Sequence, residues 1–582
     1  MSAVTHRSVT RRRLARALLP LALLAGPALA APSPSLRLEG ASGELRDNLR
    51  AHLQVDQESC ELPRWRERGV IRHATEQASE AHRALGYYQA RSDISLERTE
   101  DCWQLVVHTT PGPQAVFIEV TVKVEGEASA LPAFHRLMER PGIAIGDPLR
   151  HDRYEQLKNE LVRMAADFGF FESSLVTHRL QVDPHTNSGR ILLHLRSGPR
   201  YHFGEIDLQQ DVLYPRLAQR FVPFAAGDPY DARELIRLQQ QLNSSGYYSS
   251  ARVMSDPEPD QLDVPVTVTT EPRPKHGYMA GIGFSTDTGP RLRLGYENRR
   301  LNRAGHRYSI ESEASPVRRG LGMNYEIPIR PAKEKVTISA SYLDEETDSS
   351  TSERYRLGTA HQVELNSGWI ATTSLEYERE HFEVAGDRDR TELVMPGFEL
   401  SRTRADHPVY PRHGWHLSGK VRVASEDMLS SVTLQQFIGR GKYIMPLFGG
   451  RLLARTEVGL THADEVVRLP SSVRFFAGGD NSVRGYSYQS LGPRNNRGDV
   501  IGGRHLLTGT VEYDHLFLPQ WAWAVFVDGG NAFDKLDDFD TVYGYGLGIR
   551  WRSPIGPIRL DVARPSDGRD NFRIHVSMGT DL

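Results

Sequence analysis

Beyond its first thirty residues the 582-residue chain has no apolar run of about eighteen residues, so no membrane-spanning helix can be drawn in it. It has only two cysteines, Cys60 and Cys102, with no zinc-type spacing and no nucleophile pattern. It has no surplus of basic charge: the formal net charge is −3. A nucleic-acid partner calls for a basic surface, so none is expected. There is no phosphate-binding glycine loop and no Gly-x-Ser-x-Gly elbow, which argues against a nucleotide-driven machine and a serine hydrolase. The 22 histidines show no ligand spacing. His416 and His575 read as polar filling rather than metal ligands. No catalytic residue, cofactor or metal is expected.

Residues 1–30 carry Arg7, Arg11, Arg12, Arg13 and Arg16 ahead of an apolar stretch that ends in Ala28-Leu29-Ala30. A basic start, a short apolar run and a small-x-small site make a secretory signal peptide. Its removal takes five arginines and no acid, leaving a mature chain at −8. Export puts both cysteines in an oxidising compartment. A disulfide between Cys60 and Cys102 is one reading, and two buried thiols the other.

One signal occurs three times: Leu85-Gly86-Tyr87-Tyr88, Phe168-Gly169-Phe170-Phe171 and Ser245-Gly246-Tyr247-Tyr248. Each follows an amphipathic helix. Ile71, Ala74, Ala78, Ala81 and Leu85 step by three and four, as do Tyr154, Leu157, Leu161, Met164 and Phe168. Leu235, Leu238 and Leu242 do so in the third copy. That spacing is one buried helical face. Asp152 with Glu155, and Asp231 with Glu234, read as helix-capping boxes with Asp as the cap. Alternating strands follow each aromatic pair, so each repeat reads strand–helix–helix–strand–strand.

After Pro274 helical periodicity gives way to period-two alternation. Tyr278, Ala280, Ile282 and Phe284 alternate with Met279, Gly281, Gly283 and Ser285. Tyr543, Tyr545, Leu547, Ile549 and Trp551 alternate with Gly544, Gly546, Gly548, Arg550 and Arg552. The run at Phe572, Ile574, Val576 and Met578 is the last. Apolar faces with aromatic ends, repeated over many strands with no covering helix, fit a transmembrane barrel better than a soluble sandwich. Residues 275–582 suit about sixteen strands.

The most specific string is the loop around Gly478, Gly479, Ser482, Val483, Arg484, Gly485 and Tyr486. Downstream, Trp521, Trp523, Val525 and Val527 share a face. Asp528, just before Gly529-Gly530, therefore falls on the other. If the tryptophans meet lipid, Asp528 points into the lumen, where a carboxylate needs a partner. Arg484 on an infolded loop would supply one. The alternative is a solvated Arg484 and an Asp528 that merely starts a turn.

The chain resembles the BamA/TamA superfamily of outer-membrane assembly factors over its whole mature length. With three repeats rather than five it is most similar to the TamA branch, the outer-membrane subunits of translocation and assembly modules. The resemblance implies three N-terminal α+β POTRA domains followed by a C-terminal antiparallel transmembrane β-barrel. The limits would be signal peptide 1–30, POTRA units 31–113, 114–199 and 200–273, and barrel 274–582. It implies a clasp between Arg484 and Asp528, with Gly530 in the same motif. It also implies insertion or secretion of β-barrel clients such as autotransporters, a bacterial outer-membrane location with 31–273 in the periplasm, and a TamB-type inner-membrane-anchored partner. Gly281 and Gly283 in the first barrel strand read either as weak points of the seam or as ordinary lumen-facing glycines.

Overall fold

The glycine after each long helix is required by the backbone. Gly86, Gly169 and Gly246 have φ of +83°, +83° and +81°, where a Cβ is costly. The chain turns left-handed there and re-enters a strand through the aromatic pair. The computed structural model describes residues 33–55, 58–258, 261–330, 333–553, 556–568, 572–579 and 581. The signal-peptide segment lies outside the described residues.

Two units are distinguished, residues 33–200 and 201–581. The first holds two copies of one design. Ser35–Glu39 runs parallel to Trp103–Thr110, which pairs antiparallel with Arg91–Arg98. Val116–Glu125, Ser188–Arg196 and Ser174–Asp183 repeat that order. In each, the strand that comes last in the chain lies in the middle of its sheet. Parallel pairing of the first with the last strand needs a long crossover, and the two helices provide it. Ala74, Ala78 and Ala81, like Tyr154, Leu157 and Leu161, pack under the sheets. Cys60 and Cys102 are joined by a disulfide.

The second unit begins with the third copy: His202–Gln209, Asp263–Pro272 and Tyr248–Ser255, under the helix Ala232–Ser244. Asp231 caps that helix by accepting the Arg233 backbone N–H at 3.0 Å. The capping expectation for Asp152 is corrected. The helix His151–Asp167 starts one residue ahead of it, with Arg150 at the cap position. Arg150 forks onto Asp152 at 3.0 and 3.1 Å. Asp152 therefore acts from inside the first turn, where its charge still meets the positive end of the helix dipole.

The remaining sixteen strands form one sheet in strict chain order, each antiparallel to its neighbours, from His276–Ser285 to Arg573–Met578. Along Trp521–Phe533, Trp521, Trp523, Val525 and Val527 face outward while Ala522, Ala524, Phe526 and Asp528 are buried. A single sheet has no second sheet to cover its apolar outer face, so lipid covers it. No helix among the described residues is long and apolar enough to cross a membrane; the crossing is made by strands.

The third copy is seated on the barrel's turns. Tyr247 Oη donates to the Gly305 carbonyl at 2.6 Å, and Arg307 lies over its ring while Nη1 donates to the Ser245 carbonyl. A Cβ at Gly305 would meet Tyr247 Oη at 2.8 Å and Pro328 at 3.1 Å. Gly305→Val should therefore loosen this seat by roughly 1–3 kcal/mol. Limited proteolysis of the membrane-embedded chain should then cut faster around residues 272–275, with the barrel intact.

Candidate functional site: the lumenal loop and the barrel seam

Residues 464–504 join the strands Gly450–Ala463 and His505–Leu518. A connection this long in a barrel is either displayed outside or folded in. This one is folded in and packs as a small core of its own: Val483, Tyr486, Phe475, Ala477 and Leu491 cluster with Leu506 and Ala532 of the wall. On one side of the lumen Ser471 and Ser472 donate to Glu380 and Glu378 of the strand Ile370–Val384. On the other side the loop reaches the last strands.

There Arg484 meets Asp528 with its whole fork. Nε donates to Oδ2 at 2.7 Å, Nη2 to Oδ1 at 2.9 Å, and the Arg484 backbone N–H to Oδ2 at 3.0 Å. Nη1 donates to Glu512 and to Asp561, both at 2.9 Å. The guanidinium lies 3.3 Å above the centre of the Phe526 ring, a cation–π contact in a desolvated place. Arg550 bridges the same Glu512 and Asp561 from behind. Four consecutive strands thus each contribute an inward charge to this cluster, and the loop arginine completes it.

The wall makes room for it. Gly544, Gly546 and Gly548 lie inward on Val542–Ser553, where added Cβ atoms would meet the Arg484 carbonyl oxygen at 1.8 Å, the Phe526 ring at 2.6 Å and Asp561 at 1.9 Å. Gly485 has φ +97° and its Cβ would press on the backbone of Arg564 and Pro565. A Cβ at Gly530 would strike the Leu507 carbonyl oxygen at 2.1 Å. Ser482 Oγ accepts the Gly478 N–H, and the Ser482 carbonyl accepts from Arg455. The residues singled out in the sequence therefore converge on one place. Glu512, Arg550 and Asp561 were missed, although each occupies an inward position between outward apolar neighbours. His416 sits elsewhere, 2.8 Å from Thr403.

The loop also touches the seam between the first and last strands. Asp480 accepts from Ser285 Oγ at 2.8 Å, Thr286 Oγ1 at 2.8 Å and His575 Nδ1 at 2.6 Å. Its backbone N–H donates to Asp287 at 2.8 Å. A Cβ at Gly479 would collide with the same Asp287 carboxylate at 2.6 Å. Asp287, Asp480 and His575 bring one donor atom each within 4.8 Å of one another. A cation there would compete with the hydrogen bonds those atoms already make.

Among the described residues no ladder of pairs joins His276–Ser285 to Arg573–Met578; the backbone bridge is at Thr286 and Val576. The last strand has six residues against ten in the first. Past it, Asp581 is buried in the lumen, bound to Arg451 at 2.9 Å and to Arg559.

Residues 286–582 match the Omp85 superfamily domain, and residues 35–111 match POTRA domain TamA domain 1. The chain belongs to the Omp85 superfamily. It is 24% identical to the outer membrane protein assembly factor BamA of Nitratidesulfovibrio vulgaris, over 62% of this chain and 48% of that one. It is 20% identical to BamA of Neisseria meningitidis, over 84% and 70%. It thus spans about half to two thirds of these relatives' length. The fold is that of Haemophilus ducreyi BamA lacking POTRA domains 1–3: TM-score 0.63 at 14% identity, over 80% of this chain and 99% of that one. As an Omp85 protein the chain resides in the outer membrane, its barrel in the bilayer and its POTRA units in the periplasm.

Removing Arg484 leaves the buried Asp528 without its guanidinium, and Glu512 and Asp561 with Arg550 alone. Arg484→Ala should cost about 3–5 kcal/mol, read as a lower unfolding midpoint of the membrane-embedded chain. Arg484→Lys should recover only part, because an ammonium cannot fork onto Asp528.

A second expectation concerns pH. Burial and the neighbouring Asp480 carboxylate push the Asp287 carboxyl up to about 7, against the opposing pull of the Asp480 N–H, His575 and Arg573. For an acid shifted upward, the stability it contributes is full at low pH and is lost as pH rises from the ordinary carboxylate range through 7. The midpoint should be higher at pH 6 than at pH 8, and Asp287→Asn should flatten that difference.

Proposed function

We propose that this Omp85 protein inserts or secretes outer-membrane β-barrel clients, autotransporters among them, by strand pairing at its seam. The observation that supports this most is the first strand's long edge, which lacks a facing ladder among the described residues. An unpaired backbone edge is costly in hydrocarbon, and an incoming extended strand satisfies it by β-augmentation. Exchange of hydrogen bonds between strands requires no nucleotide. The name carried by the BamA relatives, outer membrane protein assembly factor, agrees with this reading.

In the same proposal the POTRA units receive the client, and a TamB-type inner-membrane-anchored protein is the periplasmic partner, as the TamA-type first unit suggests. We keep the domain limits 31–113, 114–199, 200–273 and 274–582, none of which cuts a helix or strand. A passive channel is the weaker reading, because the loop packs across the lumen instead of lining it.

The test is a tether. A Cβ at Gly283 would lie 3.7 Å from the Met578 terminal methyl, so a short, cleavable thiol crosslinker between cysteines at both positions spans the seam. The native cysteines are bonded to each other, and the described chain has no free thiol. Crosslinked protein in vesicles should lose client assembly by at least about tenfold, with recovery on reduction. Unimpaired assembly after complete crosslinking would end the proposal.

A further inference from the structure

We propose that Asp480 is the latch of the seam, so that release of the lumenal loop and opening of the wall are one event. This inference rests on the lateral reading above and adds its control point.

The extracellular end of the seam is held through the loop. The third POTRA unit leads into His276, so the Ser285 end of the first strand is the extracellular one. There the Asp480 carboxylate receives three donors, two from the end of the first strand and one from the last. Thr286 Oγ1 is shared: it donates to Asp480 and accepts the Val576 N–H at 2.9 Å. His575 has a fixed role as well. Its Nε2 accepts the Gly485 N–H at 2.8 Å, so the ring proton sits on Nδ1, pointed at Asp480. Asp480 and His575 are buried, at 6% and 2% exposure, which protects these bonds from water.

The loop itself is fixed elsewhere. Arg484, four residues on, is clasped to Asp528, Glu512 and Asp561, none of them on the two seam strands. The latch therefore has one side tied to the interior wall and one side tied to both edges. If the loop withdraws, the edges lose their common acceptor. If the edges part, Asp480 loses its donors, and Gly485 loses His575 with the last strand. Asp480 is a positioning residue: it touches no client and acts through the two strands.

The experiment uses the full chain in lipid vesicles, with spin labels on Tyr278→Cys and Ile574→Cys, both outward-facing on the two seam strands. Asp480→Asn keeps the shape but replaces an acceptor oxygen with an amide. It should raise the separated fraction at least about tenfold, the scale of lost hydrogen bonds to a buried charge. Thr286→Val should move it in the same direction. His575→Gln, which retains a donor and an acceptor, should lie closer to the unaltered chain than His575→Leu. Arg484→Lys should also widen the distribution, although its side chain touches neither seam strand. An unchanged distribution in both Asp480→Asn and Thr286→Val overturns the latch, whatever the tether shows. A widened distribution alongside normal assembly by the tethered chain leaves the latch standing and removes the lateral reading.

Discussion

A guanidinium inside a barrel wall is tolerated only where carboxylates meet it, and the fork of Arg484 on Asp528 is the bond on which this structure turns. Charge removed from water must be paired and hydrogen-bonded or it expels itself. Here three guanidinium groups, Arg484, Arg550 and Arg455, lie among three carboxylates, Glu512, Asp528 and Asp561. The arginine that arrives on the loop balances acids the wall presents in any case. This explains why a long connection is drawn inward: with Arg484 outside, Asp528 would be left buried without its guanidinium partner. It also explains the glycines at 544, 546 and 548, which yield the volume the fork and its loop occupy.

The second constraint is the bilayer. A closed barrel satisfies every backbone group of its edges, yet among the described residues this one is bridged at its extracellular end and has no ladder below. The cause lies in the last strand. It ends after six residues, and beyond it Asp581 is buried against Arg451 and Arg559. Lumenal electrostatics thus act twice, holding the plug in place and anchoring Asp581 inside the barrel.

Much of this was legible in the sequence because it obeys short periods. The three helices followed by glycine and an aromatic pair showed as spacings of three and four, and the barrel wall as spacing of two. The facing of Asp528 followed from counting outward from Trp521. What was not legible depends on contacts between segments far apart in the chain. Asp480 looks like one more polar loop residue until the loop is folded in beside residues 285, 286 and 575. Glu512, Arg550 and Asp561 had the right parity, but parity alone does not say which inward charges share a site. The Asp152 cap failed for a local reason: Arg150 offers a fork two residues earlier, and the helix begins around that pair. The third aromatic pair carried no sign that Tyr247 would be used to seat a domain on Gly305.

The asymmetry of the seam has a direction. The end fixed by the loop faces the outside, and the edge without a ladder among the described residues runs back towards the third POTRA unit, the side from which a client would arrive in the proposed reading. A strand adding from that side would form its first hydrogen bonds on an edge already bare. It would meet the Asp480 cluster last. Each bond gained would lower the cost of parting the next residues, so the final step would be breaking a few strong, buried, charge-assisted bonds rather than peeling a full ladder. A seam closed throughout by backbone pairs would have to open before any compensation began. A seam closed by a side-chain latch at its far end lets compensation precede opening, so the strand exchange proposed above would draw its energy from hydrogen bonds gained at the bare edge.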